Sequence, residues 1–246
     1  MNPEPLLRRS LLAALLAAGV MTAVAADKAK APDKDDEDDE KAYKDGKWEV
    51  LFDGKDTSKW RGFKAEKFPE KGWVVESGTL RHEAGKGGGD LVSKESYGDF
   101  ELRFDWKVAP GANSGVMYRV TEDHAASYET GPEYQVLDDA KHGDGKNPKT
   151  SSAALYALIA CNAEKALRPV GEWNKARIVV KGGRVEHWLN KKKVVEYAWG
   201  GPETKALIAA SKFKDMPGFA KNGSGHIVLQ DHGDDVWFRK IKIRRY

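Results

Sequence analysis

A single cysteine, Cys161, stands in 246 residues, so no disulfide can form within the chain and stability has to come from a packed core. Phosphate-cradling GxxxxGK, dinucleotide-binding GxGxxG, paired CxxC, zinc-binding HExxH and the GxSxG elbow are all missing, which leaves nucleotide cofactors, the common zinc sites and the serine-hydrolase elbow without support. The charge has no dominant sign: 41 basic and 38 acidic residues give a net +3 and are mixed along the chain. Without a clustered basic stripe, nucleic acid is excluded as a partner. The N-terminal apolar run, residues 11–21, is too short to cross a bilayer comfortably, since a membrane helix needs about 20 apolar residues.

That short run sits behind Arg8 and Arg9 and ahead of Ala23, Ala25 and Ala26, the layout of a secretory signal peptide over 1–26 with cleavage before Asp27. The expectation is an exported protein, periplasmic or extracellular, with no membrane span after cleavage. No cysteine follows the run, so no thiol is offered for lipidation, while the paired arginines leave twin-arginine export open. Residues 27–45 are Lys, Asp, Glu and Ala with little aliphatic bulk, which cannot bury enough apolar surface to offset ordering. They read as an acidic disordered linker, its block 35–40 a solvated charge run. Residues 46–246 then form one domain, within the size of a single all-β unit.

Aromatic and β-branched runs separated by Gly, Asn, Asp and Pro recur through that domain, as in a many-stranded antiparallel fold. In 100–108, Phe100, Leu102, Phe104 and Trp106 alternate with Glu101, Arg103, Asp105 and Lys107, one face oily and the other charged. Further strands are expected at 73–80, 115–120, 133–137, 174–181, 184–190 with 194–197, 225–231 and 236–244. Gly182 and Gly183 read as a two-residue hairpin tip, and 203–212 as a short helix or a polar loop. The predicted class is all-β, a two-sheet antiparallel jelly-roll sandwich.

Chemistry has to be sought on a sheet face. In Glu133-Tyr134-Gln135-Val136-Leu137-Asp138, alternation sends Tyr134 and Val136 to the core and sets Glu133 beside Gln135 on the other face. In His226-Ile227-Val228-Leu229-Gln230-Asp231-His232, Ile227 and Leu229 read inward while Val228, Gln230 and His232 share the outer face. Histidine is the side-chain type whose charge changes near neutral pH, so His232 suits a base, an acid or a metal ligand, or a structural histidine before Gly233. Asn113, Ser114 and Gly115 precede Met117, Tyr118 and Arg119, whose guanidinium offers a planar fork of donors. Glu101, Arg103 and Asp105 read as a charge lattice; His187, Trp188 and Asn190 lie on the hairpin after Gly183. No cofactor is fixed by any motif. The loop 138–147, with Asp139, His142 and Asp144, offers donors for Ca²⁺ or a transition metal, and reads equally as a plain polar loop. Arg119, Glu133, Gln135, Gln230 and His232 on neighbouring strands of one sheet would line a carbohydrate site.

The chain resembles the 3-keto-disaccharide hydrolase domain family. The segments that carry the resemblance are Leu51-Phe52-Asp53-Gly54-Lys55-Asp56, Tyr97-Gly98-Asp99-Phe100-Glu101-Leu102, Asn113-Ser114-Gly115, Gly131-Pro132-Glu133-Tyr134-Gln135-Val136-Leu137-Asp138, Gly171-Glu172-Trp173-Asn174, Leu229-Gln230-Asp231-His232-Gly233 and Phe238-Arg239-Lys240-Ile241. Two departures stand out: Ser151-Ser152-Ala153-Ala154-Leu155-Tyr156 replaces the usual glycine-containing segment, and Asn190-Lys191 the usual Asn-Gly tip. The resemblance implies a concanavalin A-like fold and cleavage of 3-keto-glycosides by C2 proton removal, elimination at C1 and rehydration. On that footing Glu133 or His232 is the base and Arg119, alone or with a divalent metal, steadies the enolate. Gln135, Gln230 and His187 would orient the sugar, with Tyr118, Asn113 and Asp138 as further substrate contacts. The rival expectations are a non-catalytic carbohydrate-binding module and a conventional two-carboxylate glycosidase. Oligomeric state does not follow from the sequence.

Overall fold

A computed structural model describes residues 48–246; the signal-peptide and linker readings for 1–26 and 27–45 lie outside the described residues. The described chain is a two-sheet antiparallel sandwich. Its strands are β1 (Glu49–Phe52), β2 (Trp60–Gly62), β3 (Trp73–Glu76), β4 (Thr79–His82), β5 (Leu91–Tyr97), β6 (Phe100–Val108), β7 (Asn113–Val120), β8 (Glu133–Leu137), β9 (Asn174–Lys181), β10 (Arg184–Leu189), β11 (Lys192–Ala198), β12 (Gly225–Leu229) and β13 (Val236–Arg245). One helix, α1 (Pro202–Ala209), opens with proline in its first turn, where a missing N–H costs nothing.

The larger sheet runs β11-β10-β9-β6-β13-β4-β3, with β1 also paired to β13; the smaller runs β2-β5-β12-β7-β8. This is the jelly-roll sandwich expected from the strand pattern. Alternation fills the space between the sheets: Phe100, Leu102, Phe104 and Trp106 meet Val116, Tyr118, Tyr134 and Val136 in one core with Ile227, Leu229 and Phe238. Each such side chain contributes about 1.5–3 kcal/mol by leaving water. The charged face of β6 is the lattice its sequence suggested. Glu101, almost fully buried, accepts from Arg103 at 2.8 Å and from Arg244 Nε at 3.0 Å, and Asp105 accepts from Arg239 at 3.0 Å.

Turn chemistry sets the strand ends. Gly182 and Gly183 take φ of 57° and 78°, the left-handed pair that a tight hairpin requires. Asn190 and Lys191 make the same kind of tip at 46° and 73° without glycine. The expected strand 73–80 is two strands, because Ser77 and Gly78 at φ 47° and 75° fold it into a hairpin. Strands β1, β2 and β5 were not foreseen: two are only 4 and 3 residues long, and β5 carries exposed Lys94, Glu95 and Ser96 that mask its periodicity. Strand β12 ends at Leu229, two residues short of the expected end, although Gln230 N still donates to Gly115 O at 2.9 Å.

Candidate functional site

The outer face of the smaller sheet divides into halves. Val92, Met117, Val120 and Val228 form an apolar patch capped by Phe63. The other half is polar and floors a hollow of about 360 Å³, in the size range of small-ligand sites. Asn113 comes from β7, Glu133 and Gln135 from β8, Gln230, Asp231 and His232 from beyond β12, and Asp90 from just before β5. Tyr128, Tyr156, Lys212, Phe213, Met216 and Phe219 make the wall. Phe213 and Phe219 stack at 3.9 Å with rings 6° from parallel, fixing that segment.

Glu133 is opposite Met117, and Gln135 opposite Gly115, across the β7–β8 ladder. The Glu133 carboxyl leans over Gly115: a Cβ built there would stand 1.9 Å from Oε1. The glycine is therefore the space the carboxyl occupies. Burial pushes this acid up to about 8; the positive charge of Lys212 opposes the rise, and Asp90 and Asp144 add to it. Asp90 is raised as well, chiefly by burial, although Ser127 Oγ and the Asp231 amide donate to it. Asp231 in turn is held by Gly89 N at 2.9 Å and by His82 Nε2 at 2.8 Å.

Two acceptors face the hollow with nothing to accept. Asn113 Oδ1 and Gln230 Oε1 are buried and have no hydrogen-bond partner among the described residues. A ligand hydroxyl on each would remove the cost of leaving it unmade, about 1–3 kcal/mol. Asn113 Nδ2 lies 3.3 Å from His232 Nε2, while His232 Nδ1 is 4.0 Å from Asp234 Oδ2, so the half-exposed imidazole is steered from both sides. Gln135 lines the hollow with its amide already engaged: Nε2 donates to Thr150 O at 3.2 Å, and Oε1 accepts from Val136 N at 3.2 Å.

Four expected site residues lie elsewhere. Arg119 takes φ 54°, and between the pairs His226↔Val120 and Val228↔Met117 β7 carries one residue more than β12. That bulge breaks the alternation and re-aims the guanidinium, which donates to Gly98 O at 3.0 Å and Asp99 Oδ1 at 3.1 Å and sits 4.5 Å from the Trp199 ring centre. Arg119 is thus no enolate holder in this hollow. His187 and Tyr118 are fully buried between the sheets: His187 Nδ1 donates to Ala153 O at 3.0 Å, Nε2 accepts from Tyr118 OH at 2.9 Å, and Tyr197 OH lies 2.8 Å from Tyr118 OH. Burial pulls His187 down to about 4, so it is neutral, and with both ring nitrogens engaged between the sheets it does not reach a sugar in the hollow. Asp138 ties its own turn, accepting from Gly111 N at 2.7 Å and Ala140 N at 2.9 Å. Trp188 lies on the larger sheet under Arg177, 4.1 Å from its ring centre.

The candidate metal loop is dispersed among separate bonds. Asp139 binds Ser152 and Lys165, His142 Nδ1 caps Asp144 N at 3.1 Å, and Asp144 accepts from Tyr156 OH at 3.2 Å. Among the described residues no group of three or more His, Cys, Asp or Glu is placed to hold a metal ion. The donor set of this loop therefore does not fit a metal. Asp90, Asp231, Tyr156 and Lys212 were not anticipated from sequence. Asp90 follows a glycine run that reads as a loop, and Lys212 lies in a stretch without periodicity.

The jelly-roll sandwich that carries this hollow has close structural counterparts. A crystal structure from Parabacteroides distasonis ATCC 8503, provisionally named a glycosyl hydrolase, matches with TM-score 0.76 at 32% identity over 83% of this chain and 96% of its own. A second from the same organism, with the same provisional name, matches with TM-score 0.63 at 29% identity over 81% and 100%. The class so defined is a glycoside hydrolase-like enzyme. Residues 47–244 match the family described as a 3-keto-alpha-glucoside-1,2-lyase-like domain, and the chain belongs to that family. The 3-keto-disaccharide hydrolase of Bacteroides thetaiotaomicron is 37% identical over 225 residues, 79% of this chain and 77% of that protein.

Proposed function

We propose that the hollow cleaves glycosides already oxidised at C3, with Glu133 as the base. A C3 ketone acidifies the hydrogen on C2. The base takes that proton, and the C–H electron pair becomes part of an enolate. The enolate collapses to the ketone with loss of the C1 oxygen substituent, leaving a C1–C2 double bond, and the departing oxygen takes up a proton. Water then adds, its oxygen to C1 and its proton to C2, so the sum is hydrolysis. Asn113 and Gln230 accept hydroxyl hydrogens of the sugar, and His232, half-exposed on the same hollow, passes a proton to the leaving oxygen.

The observation that carries this reading is the Glu133 carboxyl itself, buried over Gly115 with burial as the main cause of its raised proton affinity. A group near 8 takes and returns protons close to neutral pH, as a single-base route requires. The route uses one base where ordinary glycosidases use two opposed carboxyls. The N-terminal sequence supports action outside the cytoplasm, on sugars in the periplasm or medium. Purified protein incubated with 4-nitrophenyl 3-keto-β-glucoside should release nitrophenol far faster than from the unoxidised glucoside. Equal rates on both would reject the reading, and saturable binding without product would favour a carbohydrate-binding module.

A further inference from the structure

With Arg119 bound elsewhere, the charge that forms on the C3 oxygen needs another holder. Apart from His232, Lys212 is the basic side chain lining the hollow. It lies beyond α1 on a segment pinned by the stacked, buried Phe213 and Phe219 and by Ala220 N donating to Thr130 O at 2.9 Å. Its Nζ stands 4.2 Å from the Tyr156 ring centre and 5.3 Å from that of Phe213. No ion pair engages it among the described residues, whereas Tyr156 donates to Asp144, Asp231 is bound by His82, and the unengaged amide oxygens of Asn113 and Gln230 carry no charge. Lys212 is exposed to solvent, and its ammonium rests near two rings without an ion pair, on the same hollow as the Glu133 carboxyl.

We propose that Lys212 is a catalytic residue that holds the C3 oxygen of the substrate while the enolate exists. This rests on the proposed cleavage of 3-keto-glycosides. As Glu133 removes the C2 proton, that C–H pair moves into the C2–C3 bond and the carbonyl π pair moves onto oxygen, beside the ammonium. On collapse the oxygen pair re-forms the carbonyl, the C2–C3 π pair moves into the C1–C2 bond, and the C1–O bond breaks with its pair on the leaving oxygen, which takes a proton from His232. Lys212 binds the ketone weakly and the enolate strongly, so its contribution appears in turnover more than in binding. The same charge lowers the proton affinity of Glu133 against the opposing influence of Asp90 and Asp144, with Tyr156, Asp231 and His232 on the same hollow.

The test is Lys212→Met, which keeps the apolar stem on Tyr156 while removing the charge, with Lys212→Arg as the charge-preserving control. Nitrophenol release from 4-nitrophenyl 3-keto-β-glucoside and exchange of the C2 hydrogen in D₂O are followed as a function of pH. We expect kcat to fall about 100-fold in K212M, with C2 exchange falling alongside, KM little changed, the acid limb moved to higher pH and most activity restored in K212R. Wild-type turnover with K212M within threefold of it overturns this inference alone. An unchanged exchange rate with raised KM, or K212R as impaired as K212M, also overturns it, since that is a contact with the sugar or a shape requirement. A wild-type chain that releases no nitrophenol overturns the proposed function and this inference together.

Discussion

Glu133 carries opposite consequences for turnover and for stability. As a base it works ionised, so kcat/KM should rise with pH and level off above about 8. As a buried acid its folded value lies above the ordinary 4.5, so it is most compatible with the fold when protonated, and that compatibility fades as pH rises through about 8. Glu133→Gln should therefore lose about 1000-fold or more in turnover on the keto substrate while gaining on the order of 3 kcal/mol over wild type at pH 9. Urea unfolding at pH 9 and pH 4, where the gain should vanish, measures the second effect. Gln230→Ala removes a free acceptor and should lower kcat/KM about 10-fold without loss of stability, because no internal bond is broken.

Strands β7 and β8 make the site by what one of them lacks. Gly115 leaves a space that the Glu133 carboxyl fills, so Gly115→Ala forces that carboxyl out of place. Turnover should fall at least 100-fold in nitrophenol release, and the circular dichroism of the sandwich should be retained. The bulge at Arg119 works on the same strand in the opposite sense, taking a side chain out of the hollow to clamp Gly98 and Asp99. Arg119→Ala should cost about 1–3 kcal/mol in thermal unfolding and leave kcat on the keto substrate close to wild type. Regular alternation made Tyr134, Val136, Ile227 and Leu229 legible as core and Glu133, Gln135 and Gln230 as the opposite face. It made Arg119 illegible, since a single left-handed residue shifts the phase of everything after it.

Across the whole molecule two buried groups titrate against one another. His187 sits near 4 in the fold against 6.5 ordinarily, so its share of stability is complete above 6.5 and is lost as pH falls toward 4. Glu133 has the reverse slope between 4.5 and about 8. Between 4.5 and 6.5 the two slopes oppose one another, while Asp90 and Asp105, raised by burial, add to the Glu133 slope and carboxylates that arginines hold low, such as Glu122 beside Arg61, act against it. Between 6.5 and about 8 the Glu133 slope is no longer opposed by that of His187. A fall in urea midpoint over that interval in wild type, absent in Glu133→Gln, is the expected signature.

The sequence by itself determined the all-β class, the inward and outward faces of β6, β8 and β12, and the Gly182–Gly183 turn, because each is set by neighbours along the chain and by local backbone sterics. Only the tertiary structure decided that Asn113, Glu133, Gln135, Gln230 and His232 share one hollow with Asp90, Asp231 and Lys212, and that His187, Tyr118, Asp138 and Arg119 do not. Those facts depend on which strands become neighbours, on one bulge and on a wall brought in from the segment after α1. Residues separated by a hundred positions meet there through sheet topology, which local alternation does not encode.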